Sequence, residues 1–301
     1  MQKINCLDDL LNWYLALEKG HGGKENTYNN RKWAVGAVSK ICGELTVEQW
    51  KKTIFMSRFF QPAGCAYNIS SIEQMVRVIA AAARRAMEVE LIEDTWLATI
   101  RLSMFTHRRP KIKPCNLVFE DISGVAKEVN RRNVRDKLLS ILVIATAARI
   151  NEVAGLAWRE LELNRDKPGK WRLPANKAKN GEAHIFALDP RIVNLLLYYR
   201  TRQRPGTRVV FPSRCNNQSI SANWASKLVR TSTWSSHDFR KVARSWWQDH
   251  KVDYAIGEYL ISHKLPMTQR IYIQTNSWHL VISAVVDWCD WIEMQGLSIN
   301  H

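Results

Sequence analysis

Apolar residues recur at helical spacing through the first third of the chain, over Leu7–Leu17, Tyr28–Ile41, Val47–Phe55 and Ile72–Met87. In the last segment Ile72, Met75, Val76, Ile79 and Ala83 line one face. Thr46 with Gln49, and Ser70 with Glu73, have capping-box spacing, in which a hydroxyl and a side-chain carbonyl satisfy amide donors that the first turn leaves orphaned. A shorter helix is predicted over Thr95–Phe105. The stretch His107-Arg108-Arg109-Pro110-Lys111-Ile112-Lys113-Pro114 then breaks the pattern, because two prolines four apart forbid a continuous helix and the charges hold it in water. It marks a boundary between a helical domain over 1–109, a linker over 110–114 and a second domain over 115–301.

The second domain opens on the charged run Arg131–Lys137, a solvated helix start, and passes into Leu138–Ala147, an apolar run predicted as a buried helix. Lys170–Pro174 and Ala183–Leu188 read as short strands around Asn176-Lys177-Ala178-Lys179-Asn180-Gly181-Glu182. Asn-Gly is a strong turn signal, so a β-hairpin with two lysines at its tip is expected. Helical spacing returns over Ile192–Arg200, Ser221–Arg230, His237–His250 and Tyr254–Ile261. Within Leu280–Met294, Val281, Val285, Trp288 and Ile292 share a face that must be buried, in this chain's own core or against another protomer. The fold class is mostly α with one small sheet (α+β), and Trp246, Trp247, Trp288 and Trp291 read as core or interface anchors.

Charge sharpens the picture. The 301 residues carry 44 Lys plus Arg against 28 Asp plus Glu, a net charge of +16, spread as +6 over 1–114 and +10 over 115–301. Such a surface suits a polyanion, nucleic acid before membrane. At 46% hydrophobic and 24% charged, with 13 Gly and 9 Pro, the chain is neither disordered nor collagen-like. The run Leu138–Ala148 is well short of the ~20 apolar residues that span a bilayer. Asp8 and Asp9 follow Met1-Gln2-Lys3 too soon for a secretory signal, so a cytoplasmic, nucleoid-associated protein is expected, with no membrane partner. Six scattered cysteines lack metal spacing and read as reduced structural thiols, with no cofactor.

At Ser235-Ser236-His237-Asp238-Phe239-Arg240, Ser235 and Asp238 have capping-box spacing. His237 and Arg240 leave the same side of the first turn, where a helix N-terminus, an imidazole and a guanidinium fork together suit phosphate oxygens. Alone the motif is weak, but it stands within a fixed order of groups. Arg149 with Glu152 comes first, then Lys179, His237 with Arg240, His263, and Tyr272 nine residues later.

In that order, and in the strings Thr146-Ala147-Ala148-Arg149-Ile150-Asn151-Glu152, His237-Asp238-Phe239-Arg240 and Ile261-Ser262-His263-Lys264 continuing to Thr268-Gln269-Arg270-Ile271-Tyr272, the chain resembles the tyrosine recombinases. These are the site-specific integrases of phages and mobile elements and the Xer-like chromosome-dimer resolvases. The motifs cover about residues 115–290; the N-terminal region matches the family's SAM-like core DNA-binding domain in helical content, position and length alone. The resemblance implies a two-domain, Xer-sized enzyme that cleaves and rejoins duplex DNA through a 3′-phosphotyrosyl intermediate, without metal or ATP. It implies Tyr272 as nucleophile, Arg149 and Arg240 on the non-bridging oxygens, Lys179 as proton donor to the 5′-oxygen, His237 and His263 as hydrogen-bonding groups, and Glu152 behind Arg149. It also implies a homotetramer on two DNA sites, a C-terminal helix that docks on a neighbouring protomer, and accessory DNA-bending or directionality proteins. Lys177, Arg108, Arg109, Lys111 and Lys113 are expected at DNA phosphates.

The family usually has glycine where Ala147 and Ser262 stand, so the chain differs locally before Arg149 and His263. Tyr254 and Tyr259 are the competing tyrosines and Lys177 the competing lysine; His184 is expected against the sheet or the DNA backbone. Three other readings stand beside the recombinase: a non-cleaving DNA-binding protein of the same fold, a type IB topoisomerase-like enzyme, and an RNA-binding protein, for which no recognition motif is present.

Overall fold

A computed structural model describes residues 3–22, 25–110, 115, 117–213, 218–231 and 234–299. The chain divides into two compact units, Met1–Lys113 and Pro114–His301.

The first unit is helical, built from α1 (Leu7–Gly20), α2 (Glu25–Cys42), α3 (Lys52–Phe55), α4 (Gln61–Ala66) and α5 (Ile69–Glu88). Its core gathers Leu7, Leu10, Leu11, Val38, Phe55, Phe59 and the α5 face Ile72, Met75, Val76, Ile79 and Ala83. The Thr46–Gln49 box forms, at the start of a single 3₁₀ turn. The Ser70–Glu73 box does not. Asn68 Oδ1 accepts from the Ser71 amide at 2.9 Å and starts α5 earlier, so Ser70 and Glu73 lie inside the helix and Glu73 pairs with Arg77 one turn on. The expected helix over Thr95–Phe105 is two short turns, Trp96–Thr99 and Leu102–Met104, separated by extended backbone at Ile100 and Arg101. The break lets Leu97, Ile100 and Leu102 all reach the core; a continuous helix would turn Leu102 away from the other two.

In the second unit α6 (Ile122–Asn130) leads to α7 (Val134–Thr146), capped by Asn133 and buried on every side from Leu138 to Thr146. α8 (Ile150–Ala154) follows, then three antiparallel strands in order, β1 (Leu161–Glu162), β2 (Gly169–Leu173) and β3 (His184–Leu188). The strands pair Gly169 with Leu188 and Trp171 with Phe186, whose rings stack at 4.6 Å. The expected hairpin forms from β2 and β3, and its connection over 174–183 carries both lysines, with Gly181 at φ +76° as one bend.

The remaining helices are α9 (Pro190–Thr201), α10 (Ala222–Val229), α11 (Ser236–Asp249), α12 (Tyr254–Leu260), α13 (Met267–Thr275) and α14 (Trp278–Met294). The α14 stripe Val281, Val285, Trp288 and Ile292 is buried in this chain's own core, so its apolar demand is met in cis. Indole donors fasten it there: Trp288 Nε1 to the Ile144 carbonyl and Trp247 Nε1 to the Ala284 carbonyl, each at 3.0 Å. No described helix is long and apolar enough to cross a membrane.

Candidate active site

Two helix ends converge on one guanidinium. α7 closes at Ala147 and α12 runs out through Ile261 to Ser262, and both Ala147 and Ser262 hold left-handed backbone at φ +49°. The reversals aim carbonyls at Arg240, whose Nη1 donates to Ala147 O at 2.8 Å and Nη2 to Ile261 O. Helix C-termini carry partial negative charge, so a cation is favoured where two of them meet. Of the fork's five N–H donors, these two carbonyls take two among the described residues. Burial lowers the Arg240 guanidinium to about 10, with Arg149 adding to the effect, so it stays charged at neutral pH.

Arg149 caps α8 and is held by Glu152, a carboxylate with 1% of its side chain exposed. Glu152 accepts the Arg149 amide at 3.0 Å and its Nη1 at 3.3 Å, while the same Nη1 reaches Ser262 O at 3.4 Å. The Lys179 amide also donates to Glu152, at 3.5 Å. Thus Arg149, Glu152, Arg240 and the backbone of Lys179 form one connected cluster.

The Ser235–Asp238 box forms and sets the first turn of α11. His237 on that turn is held below its ordinary value by burial and then by Lys241 and Arg240, with a contribution from Lys179, which brings the Lys179 ammonium within electrostatic reach. His263 Nδ1 lies 2.7 Å from Glu258 Oε2, and Glu258 also accepts Arg244 Nε at 2.8 Å. Burial raises the Glu258 carboxyl, but the hydrogen bonds from Arg244 and His263 outweigh it and the net shift is downward. An ionised Glu258 fixes the Nδ1–H tautomer of His263 and leaves Nε2 as the outward nitrogen. Sequence reasoning passed over Glu258; its one signal, an acid five residues before His263, has meaning only once the chain turns at Ser262.

Tyr272 stands on α13 at 60% exposure, and its phenol has no hydrogen-bond partner among the described residues. Tyr259 is buried, its hydroxyl donating to Ile185 O at 3.1 Å and accepting from Gln274, which removes it as a nucleophile. Tyr254 is exposed on α12 beneath the Arg244 guanidinium. His184 is buried against Phe186 and Tyr259, as the sheet-facing reading expected. Burial, then Arg270, Arg240 and Arg149, lower its imidazole to about 3.

Lys177 departs from its expected role at DNA. Its ammonium turns inward to the Glu160 carboxylate, which is 5% exposed, and to Gly155 O at 2.6 Å, so the buried acid keeps a paired charge. Arg108 and Arg109 are exposed and, with Arg77 and Arg101, line an open groove of about 610 Å³ in the first unit. Lys111, Lys113 and Cys215 lie outside the described residues; the other cysteines are free thiols.

Residues 116–279, more than half of the chain, match the phage integrase family. The chain belongs to that family. Phage integrases of this type are tyrosine recombinases, and this integrase-family chain is a site-specific enzyme of DNA strand breakage and rejoining. Among solved structures, its fold is similar to a lambda integrase dimer bound to a COC′ core site, at 13% identity and a TM-score of 0.68, over 90% of this chain and 78% of that one. It is also similar to the Tn1549 transposon integrase (residues 82–397) in complex with circular intermediate DNA, at 13% identity and 0.66, over 89% and 95%. A lambda integrase tetramer bound to a Holliday junction matches at 13% and 0.66, over 87% and 78%. At such identity the likeness is one of fold. No curated protein sequence matches this integrase-family chain.

Proposed function

We propose that this chain recombines duplex DNA at specific sites with Tyr272 as nucleophile, acting as a homotetramer on two sites, a reading supported by its likeness in fold to a lambda integrase tetramer bound to a Holliday junction. The observation that carries the reading is the buried Arg240 fork, pinned between two helix C-termini beside Arg149. Such a pair binds the two non-bridging oxygens of a phosphodiester and stabilises the charge that grows on them at the pentacoordinate stage.

Tyr272 Oη attacks phosphorus; its O–P bond forms as the bond to the 5′-oxygen breaks, leaving a 3′-phosphotyrosyl enzyme and a free 5′-hydroxyl. The phenol proton goes to His237, which is neutral at working pH, and the Lys179 ammonium gives a proton to the departing 5′-oxygen. His263, held by Glu258 through Nδ1, accepts a hydrogen bond at its outward Nε2, and Glu152 keeps Arg149 oriented. Attack by a 5′-hydroxyl reverses each transfer and rejoins the strand, so no external energy source is consumed. The strongly basic surface supplies phosphate contacts and a steep salt dependence.

The test is covalent capture. Wild type and Tyr272→Phe are incubated with duplex fragments from the gene's own genomic flanks, denatured in detergent, and the retained DNA is sequenced, with native binding measured in parallel. DNA kept by wild type and lost by the Phe variant establishes the nucleophile and maps the cleavage site. Native binding by both, with no retention by either, supports a non-cleaving protein of the same fold. Relaxation of arbitrary supercoiled plasmid without site preference would support the topoisomerase-like reading.

A further inference from the structure

Arg270 lies two residues before Tyr272 and Gln274 two residues after, which on α13 sets both on the side away from the phenol. Both are engaged. Arg270 Nη1 donates to Glu182 Oε2 at 2.5 Å, with Lys264 Nζ 3.9 Å from the other oxygen of that carboxylate. Gln274 Nε2 donates to Tyr259 Oη at 3.1 Å, and that hydroxyl donates to Ile185 O on β3. Ile273 between them is buried. Glu182 belongs to the 174–183 loop that carries Lys179, and the Lys179 amide rests on Glu152. One short loop is therefore tied at one point to the carboxylate behind Arg149 and at another to the helix that bears Tyr272.

We propose that the Glu182–Arg270 ion pair is a positioning device that holds the Lys179 loop and the Tyr272 helix in register, so that proton donor and attacking phenol meet one phosphate together. The proposal rests on the functional reading above and deepens it. Stability does not explain the pair: both side chains keep about a quarter of their surface in water, at 22% and 27% exposure, where a single ion pair contributes little to folding. Its location does. Arg270 acts on the same buried His184 as Arg149 and Arg240, which makes it a third guanidinium near the catalytic two. Without Glu182 it would stand uncompensated and compete for the phosphate; with Glu182 it serves as a tether.

The test uses single-turnover cleavage of a nicked duplex carrying the site mapped by covalent capture, made with either the normal 5′-oxygen or a bridging sulfur as leaving atom. Sulfur departs without a proton, so it relieves dependence on Lys179. Glu182→Gln and Arg270→Gln are each expected to cleave the oxygen substrate about tenfold or more slowly than wild type, with a smaller loss on the sulfur substrate and native binding and melting temperature unchanged. The exchanged pair, Glu182→Arg with Arg270→Glu, is expected to recover most of the rate. Single variants at wild-type rate, equal losses on the two substrates, or an exchanged pair no better than the singles would overturn the proposal. If wild type cleaves neither substrate, or Tyr272→Phe still forms the adduct, the functional reading itself fails and this inference with it.

Discussion

Replacing His184 tests the buried electrostatics behind the site. The imidazole is 5% exposed, ringed by Phe186 and Tyr259, and its Nε2 has no hydrogen-bond partner among the described residues. Its folded-state value is about 3 against an ordinary 6.5, lowered by burial and by Arg270, Arg240 and Arg149. Above pH 6.5 both folded and unfolded chains hold it neutral and it contributes nothing to pH dependence. Below 6.5 the unfolded chain takes up a proton that the folded chain refuses, so stability falls with pH until the folded value is passed near 3. The full loss is ~5 kcal/mol, of which about 2 kcal/mol has accrued at pH 5. Urea unfolding of wild type and His184→Phe at pH 7.5 and pH 5 isolates this group, since every other titration is common to the two proteins. The stability difference between them should move by about 2 kcal/mol in favour of the Phe variant on acidification. Parallel losses, with a change below roughly 0.5 kcal/mol, would refute the assignment of His184 as a neutral buried imidazole.

Ser262→Gly is expected to raise the melting temperature, because it relieves a left-handed residue at φ +49° and removes a buried hydroxyl with no partner among the described residues, together about 1–2 kcal/mol by calorimetry. Lys177→Ala should lower stability by about 1–3 kcal/mol while leaving the salt slope of DNA binding unchanged, since its ammonium serves Glu160 and Gly155; a shallower slope in filter binding would restore it as a phosphate contact. Arg240→Lys keeps the charge but cannot reproduce the fork, and adduct formation should fall by about 100-fold or more in single turnover. Glu152→Gln should slow cleavage far more than it lowers the melting temperature, and equal effects on both would reduce Glu152 to a helix cap.

The sequence alone was enough to place most helices, because amphipathic spacing and caps are local: the α5 face, the buried α7 run and the Ser235–Asp238 box all form from residues within a few positions of each other. It also nominated the site residues, because their order along the chain is itself the signal. Local rules failed where distant packing competed with them. Ile100 broke a helix so that Leu102 could reach the core, whereas at the start of α5 one local cap, Asn68, displaced another, Ser70. Tertiary structure alone decided what the charges do. Lys177 and Lys179 are near neighbours in sequence, yet a buried Glu160 captures the ammonium of one while Glu152 accepts the backbone amide of the other. Arg240, Ala147 and Ile261 are far apart in the chain, and no spacing rule foretells that two helix ends will close on one guanidinium. A charge draws its role from the dielectric and the partners around it, and those are assembled by the fold.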